Sequence, residues 1–177
     1  MKKISSIPIE GKRILVRVDL NSPMENGQIM LNARIISHAE TIKKLSESNA
    51  RVIVLSHQGR KGDSDFLSLE QHAQIISKYA KTKYVDSLFE ESALGAIKEL
   101  KSGEAVLLKN VREYEDEKPP FKKNNGYQGL CKLFDLYIND AFSVSHREQG
   151  SIILPPKYLP SAIGPGFERE LNALKSF

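Results

Sequence analysis

The sequence predicts a single α/β domain, a doubly wound parallel sheet in a Rossmann-like three-layer α/β/α arrangement. Three observations carry that reading. Strand-like apolar runs alternate with stretches of helical period along the whole chain. Runs such as Ile14-Leu15-Val16 and Val52-Ile53-Val54-Leu55 are continuous rather than alternating, as in strands buried on both faces. At 177 residues and 40% hydrophobic content, the chain can also bury a sizeable core.

The first predicted strand runs from Lys12 to Asn21. It carries Arg17, Asp19 and Asn21 two apart, so the three share one face. That polar row reads either as a buried Arg17–Asp19 pair that fixes register or as part of a site. Asn26-Gly27 is a tight-turn signal, so a small hairpin follows. Ile35, Ala39, Ile42 and Leu45 recur at helical spacing and predict a helix over 32–49. Residues 51–57 form a second buried strand, and 58–66 a charged, glycine-bearing loop. Ser68 with Gln71 spells a capping box for a helix with Leu69, Ala73, Ile76 and Ala80 on one stripe.

A short strand is expected at 83–85 and a helix over 89–101, stopped by Gly103. Ala105-Val106-Leu107-Leu108 is a further strand, running into Lys109-Asn110-Val111-Arg112. A polar insertion, 113–125, precedes a helix with Tyr127, Leu130, Cys131 and Phe134 on one face. Leu136-Tyr137-Ile138 reads as the last clear strand, and the proline-rich 155–165 as irregular. A final amphipathic helix carries Phe167, Leu171 and Leu174. It has no C-cap signal, as expected of a helix that continues into a further segment.

Several function classes are disfavoured. No apolar run approaches the roughly 18 residues that span a bilayer, and the N-terminus turns polar too quickly for a signal-peptide core. The single cysteine, Cys131, rules out an intrachain disulfide framework, and an intracellular, cytoplasmic home fits. A net charge of +4 favours an anionic partner only mildly. Nucleic acid is disfavoured because Trp is absent, the lysines are scattered and no recognition motif occurs. There is no P-loop, no Gly-x-Gly-x-x-Gly after the first strand, and no nucleophile triad at the strand ends. The histidines lack metal-ligand company, so no metal site is expected.

In open α/β sheets, ligands bind at the carboxyl ends of the strands. Those ends read Asp19-Leu20-Asn21, Ser56-His57-Gln58-Gly59-Arg60, Asn110-Val111-Arg112 and Asn139-Asp140-Ala141-Phe142-Ser143-Val144-Ser145-His146-Arg147, with Arg34 opening the first helix. Topology alone therefore draws Arg34, Arg60, Arg112 and Arg147, two histidines and several amides to one edge. A guanidinium fork matches phosphate and carboxylate oxygens, so such a cluster reads as an oxyanion site. His38 and His72 fall within helices and are read as structural. The residues by themselves point to an anion-binding domain for a small phosphorylated carboxylate.

These segments, with Arg13-Ile14-Leu15-Val16-Arg17-Val18-Asp19-Leu20-Asn21-Ser22-Pro23, resemble the N-terminal domain of the phosphoglycerate kinase family, in order and at close to its spacings. The His57-Gln58-Gly59-Arg60 form and Gln149 look like its archaeal branch. The resemblance implies a 3-phosphoglycerate-binding domain over 1–166 and the start of an interdomain helix over 167–177. It implies phosphoryl transfer between 1,3-bisphosphoglycerate and ADP, with substrate-binding Asp19, Asn21, Arg34, His57, Arg60, Arg112 and Arg147. Asp19 and Asn21 would take the hydroxyl and carboxylate end, and His57, Arg60, Arg112 and Arg147 the distal phosphate. Arg34 would be catalytic, beside the transferring group. No cofactor is implied for this chain; Mg-ADP or Mg-ATP would bind the nucleotide half that these 177 residues do not contain.

Lys109, Glu113 and Ser143-Val144-Ser145 depart from the family pattern and bear on local packing. On this reading the chain binds 3-phosphoglycerate without turning it over. A stand-alone, non-catalytic anion-binding module and a nucleic-acid-binding protein are the competing readings. Position resolves the polar row: Arg17 becomes an internal charge that pairs locally and props the patch, while Asp19 and Asn21 reach the ligand.

Overall fold

The computed structural model describes residues 2–176. Six strands form one parallel sheet, and a two-stranded hairpin stands apart. The chain starts mid-sheet with β1 (Arg13–Arg17), followed by the hairpin β2 (Met24–Glu25) and β3 (Gln28–Ile29). Then come α1 (Ala33–Glu47), β4 (Arg51–Leu55), α2 (Glu70–Ile76), β5 (Thr82–Val85), α3 (Glu91–Glu99) and β6 (Ala105–Leu108). The rest comprises α4 (Gly126–Leu130), β7 (Leu136–Asn139), α5 (Gly150–Ile153), α6 (Pro155–Tyr158), β8 (Ser161–Ile163) and α7 (Pro165–Lys175).

The sheet order is β5-β6-β4-β1-β7-β8. From β1 the chain winds outward through β4, then crosses back to β7 on the other side. The reversal of winding therefore falls at β1, where a doubly wound sheet opens its crevice. Successive residues of each strand face opposite layers. Ile14, Val16, Val52, Val54 and Ile138 pack with Ile42 of α1 and Ile76 of α2. Leu15, Ile53, Val106, Leu108 and Tyr137 pack with Ile97 of α3 and Leu130 of α4. Both faces are covered, which explains why the strands read as continuous apolar runs.

The turn chemistry follows the sequence. Asn26 and Gly27 both have positive φ, as a primed two-residue turn requires. Asn32 caps α1, its side chain accepting from the amides of Arg34 and Ile35.

Four expectations change. The first strand ends at Arg17, so Asp19 and Asn21 lie in the loop beyond it rather than on its face. Arg17 does not pair with Asp19; its guanidinium turns to Ser151, the Val18 carbonyl and His57. The Ser68–Gln71 capping box does not form, because α2 begins after Leu69 and has no side-chain cap. Gln71 instead accepts from the Ile29 amide at 2.9 Å and donates to the Gly27 carbonyl at 3.0 Å, clamping the hairpin. Finally, 155–165 is ordered. Pro155 starts α6, and β8 extends the sheet parallel to β7 with Ile138 opposite Ala162. Three residues are too few for a periodic signal, and their pairing comes from β7.

Candidate functional site

The loops past β1, β4, β6 and β7 meet above the sheet, and local hydrogen bonds shape each. Ser56 stitches the β1 and β4 extensions together, donating to the Val18 carbonyl at 3.0 Å and accepting from the Leu20 amide at 3.0 Å. The Asn21 amide closes an Asx turn on Asp19 Oδ1 at 3.1 Å. Gln58 is bolted to Ser22 by a reciprocal pair, accepting at 2.9 Å and donating at 3.0 Å. Its carbonyl accepts from Asn110 Nδ2 at 2.8 Å, and that amide also donates to the Leu67 carbonyl at 2.9 Å. Asn110 thus ties the 58–66 loop to β6 while capping the turn that presents Arg112.

Gly59 is the pivot. At φ +64, with the Asp65 backbone 2.6 Å from where a Cβ would lie, no other residue fits. Its amide donates to Asn21 Oδ1 at 2.8 Å and its carbonyl accepts from Arg112 Nη1 at 2.6 Å. Two expected ligand contacts therefore also hold the loop, leaving the Asn21 amide hydrogens and most of the Arg112 fork free.

All seven expected residues, Asp19, Asn21, Arg34, His57, Arg60, Arg112 and Arg147, line one cavity of about 260 Å³. Arg34, in the first turn of α1, reaches Asp19 Oδ2 with Nη1 at 3.1 Å, and its side chain stays half exposed. His57 is buried, with Nε2 3.9 Å from Asp19 Oδ1. Burial, reinforced by Arg17, Arg112, Arg147 and Arg34, holds its pKa far below the ordinary value, so the ring is neutral. Burial likewise lowers the pKa of Arg112, with Arg17 and Arg147 pushing the same way. Like charges crowded around an open cavity favour an anion in it.

Other residues of this wall had no warning in the sequence. Ser143 lines the cavity and donates its hydroxyl to Asp19 Oδ2. Asp63 and Asp65 of the 58–66 loop line it too. They are placed by the Gly59 turn and the Asn110 tie, which composition does not reveal. His146, the second histidine of the strand-end set, is exposed and outside this cavity. His72 is fully buried and holds Gln58 Oε1 at 3.1 Å.

A second cavity of about 380 Å³ shares Asp19, Arg34 and Ser143 and extends to Gly166 and Arg169 of α7. Its wall includes His38, whose Nδ1 lies 3.2 Å from Asp140 Oδ2. The other Asp140 oxygen accepts from the Phe167 amide at 2.9 Å, anchoring the start of α7. Among the described residues no His, Cys, Asp or Glu group is arranged to hold a metal ion. Nor is any helix there long and apolar enough to cross a membrane.

A doubly wound sheet with converging guanidinium groups, a neutral imidazole and a carboxylate over its switch point defines an α/β domain with a basic cavity at its strand ends. Comparison with known proteins places it further. The family model described as phosphoglycerate kinase matches residues 4–177, and the chain belongs to that family. Curated phosphoglycerate kinases of Sulfurisphaera tokodaii and Saccharolobus solfataricus are 41% and 44% identical, each over 97% of this chain. The chain spans only 43% and 44% of those relatives, respectively, and matches their N-terminal part. The crystal structure of phosphoglycerate kinase from Pyrococcus horikoshii superimposes with a TM-score of 0.90 at 34% identity, over 99% of this chain and 45% of that one. The phosphoglycerate kinase structure from Coxiella burnetii gives 0.80 at 30% identity, over 98% of this chain and 44% of its own.

Proposed function

We propose that this chain is the glycerate-binding half of a cytoplasmic phosphoglycerate kinase, holding 3-phosphoglycerate or 1,3-bisphosphoglycerate while a second domain brings Mg-ADP or Mg-ATP. The observation that carries the reading is the convergence of seven separately placed residues on one cavity. Arg60, Arg112 and Arg147, with the neutral His57, supply fork and point donors for a distal phosphate. Asp19 keeps acceptor capacity for a hydroxyl, and Asn21 offers its amide hydrogens to a carboxylate.

Arg34 stands at the wall shared with the second cavity, where the transferring phosphoryl group would lie. Held by a carboxylate and half exposed, it is free to swing to developing charge. In phosphoryl transfer, positioning and charge stabilisation do most of the work. Alone, the chain positions one reactant and lacks the other, so binding without turnover is expected.

Calorimetric titration of the chain with 3-phosphoglycerate tests the binding claim; saturable one-site binding supports it, and no heat at millimolar ligand would sink it. A coupled assay with ATP and 3-phosphoglycerate tests the second claim, and turnover by the purified chain would contradict it. In an enzyme containing both domains, Arg34→Ala should lower kcat by more than it raises KM. A raised KM at unchanged kcat would remove the catalytic role.

A further inference from the structure

Arg17 is fully buried beneath the cavity, and each of its nitrogens is engaged. Nε donates to Ser151 Oγ at 2.9 Å, Nη1 donates to the Val18 carbonyl, and Nη2 lies 3.0 Å from His57 Nδ1. Ser151 Oγ donates in turn to Glu117 Oε1 at 2.7 Å. The other Glu117 oxygen accepts from the Ser151 amide at 3.0 Å and the Tyr127 hydroxyl at 2.9 Å. Glu117, Ser151 and Tyr127 are themselves buried. A guanidinium only donates and a carboxylate only accepts, so this chain of bonds has a single direction. At its other end, Arg17 leaves His57 Nδ1 no role but acceptor. The ring proton is therefore on Nε2, the nitrogen nearer Asp19 and the cavity.

We propose that Glu117, Ser151 and Arg17 form a relay that fixes His57 as its neutral Nε2–H tautomer and aims that N–H at the oxyanion of the ligand. The three are positioning residues, delivered by the polar insertion before α4, by α5 and by β1. The proposal deepens the function given above and rests on it only for the identity of the ligand.

The chemistry favours such a device. A protonated ring would face Arg17, Arg34, Arg112 and Arg147, with Asp19 beside it and Asp63 and Asp65 elsewhere in the cavity wall as the opposing charges. A neutral ring held in one tautomer gives a directional donor without adding to that repulsion. Glu117 offsets the buried charge of Arg17 from outside the 260 Å³ cavity, although it lines an adjoining cavity with Arg60, Arg112 and Arg147 and acts electrostatically on Arg112 as well. In metal sites, groups that orient a histidine through its far nitrogen alter affinity or activity by about ten- to a hundredfold when removed, and the lower end of that scale is the expectation for His57.

The test is two-bond ¹H–¹⁵N correlation spectroscopy of the imidazoles in the labelled chain, with His57 assigned through His57→Gln. The expected result is a single Nε2–H pattern for His57, unchanged between pH 8 and pH 5. Ser151→Ala cuts the relay, and Glu117→Gln removes its charge while keeping an acceptor. Both should give mixed tautomers and about tenfold weaker binding of 3-phosphoglycerate. A proton on Nδ1, a doubly protonated ring at pH 7, or a pattern unmoved by both variants would overturn the relay. Should the variants fail to fold, the wild-type pattern alone decides it. If the wild-type chain shows the Nε2–H pattern but does not bind 3-phosphoglycerate, the relay stands and the functional reading falls.

Discussion

Asn21 shows how closely support and recognition are joined at single residues. Its side-chain oxygen holds the Gly59 amide, and the residue lines the cavity. Asn21→Ala should weaken 3-phosphoglycerate binding about tenfold and cost about 1–2 kcal/mol of stability, read by calorimetry and by urea denaturation. Asn21→Asp should be worse for binding, since it adds a negative charge where an anion must sit. His72 contributes to the acid side, together with His57. Burial pushes its pKa from the ordinary 6.5 to about 4. A histidine depressed on folding stabilises the neutral form, so its contribution is complete above pH 6.5 and is lost as pH falls towards 4. The loss amounts to about 3 kcal/mol from this residue. Urea midpoints should fall between pH 7 and pH 4.5, where His57, also depressed by burial, adds to the loss, and His72→Gln should remove only its own share.

Individual elements divide by how much of their signal is local. The central strands were legible because burial on both faces writes a continuous apolar run. The 26–27 turn was legible because Asn-Gly suits its two positive-φ positions. Gln71 was misread for a physical reason: a side chain suited to capping its own helix found two stronger partners on the hairpin. Gln71→Ala should therefore leave α2 intact and loosen the hairpin, with faster hydrogen exchange at Ile29 and a cost of about 1–2 kcal/mol. Unchanged exchange there would contradict the clamp. The edge strand β8 was illegible because its identity comes from β7. Arg60, Arg112 and Arg147 could be named because each lies in a loop past a strand end, where topology forces convergence, and Arg34 because it opens the first helix. Ser143, Asp63 and Asp65 could not, because a serine or aspartate in those same loops carries no sign that it turns to the cavity. Glu117 was hidden because a glutamate in a polar insertion carries no sign that it turns inward.

For the whole molecule, ligand binding and stability should be linked. A ligand that binds only the folded chain adds about 2.7 kcal/mol at a hundredfold excess over its Kd. 3-Phosphoglycerate at that level should raise the melting temperature by several degrees, and glycerate without its phosphate should not. The Gly59 anchorage carries a further, kinetic consequence. The Asn21 and Arg112 side chains grip Gly59 from opposite sides, Gln58 is tied to Ser22, and Gln58 Nε2 donates to the Asp65 carbonyl at 3.2 Å. These bonds all lie within the protein, so association should not wait for the 58–66 loop to fold over. The rate of capture should follow diffusion under the pull of the exposed arginines, falling steeply as salt is added. The rate of escape, set by short contacts inside the cavity, should respond to salt far less.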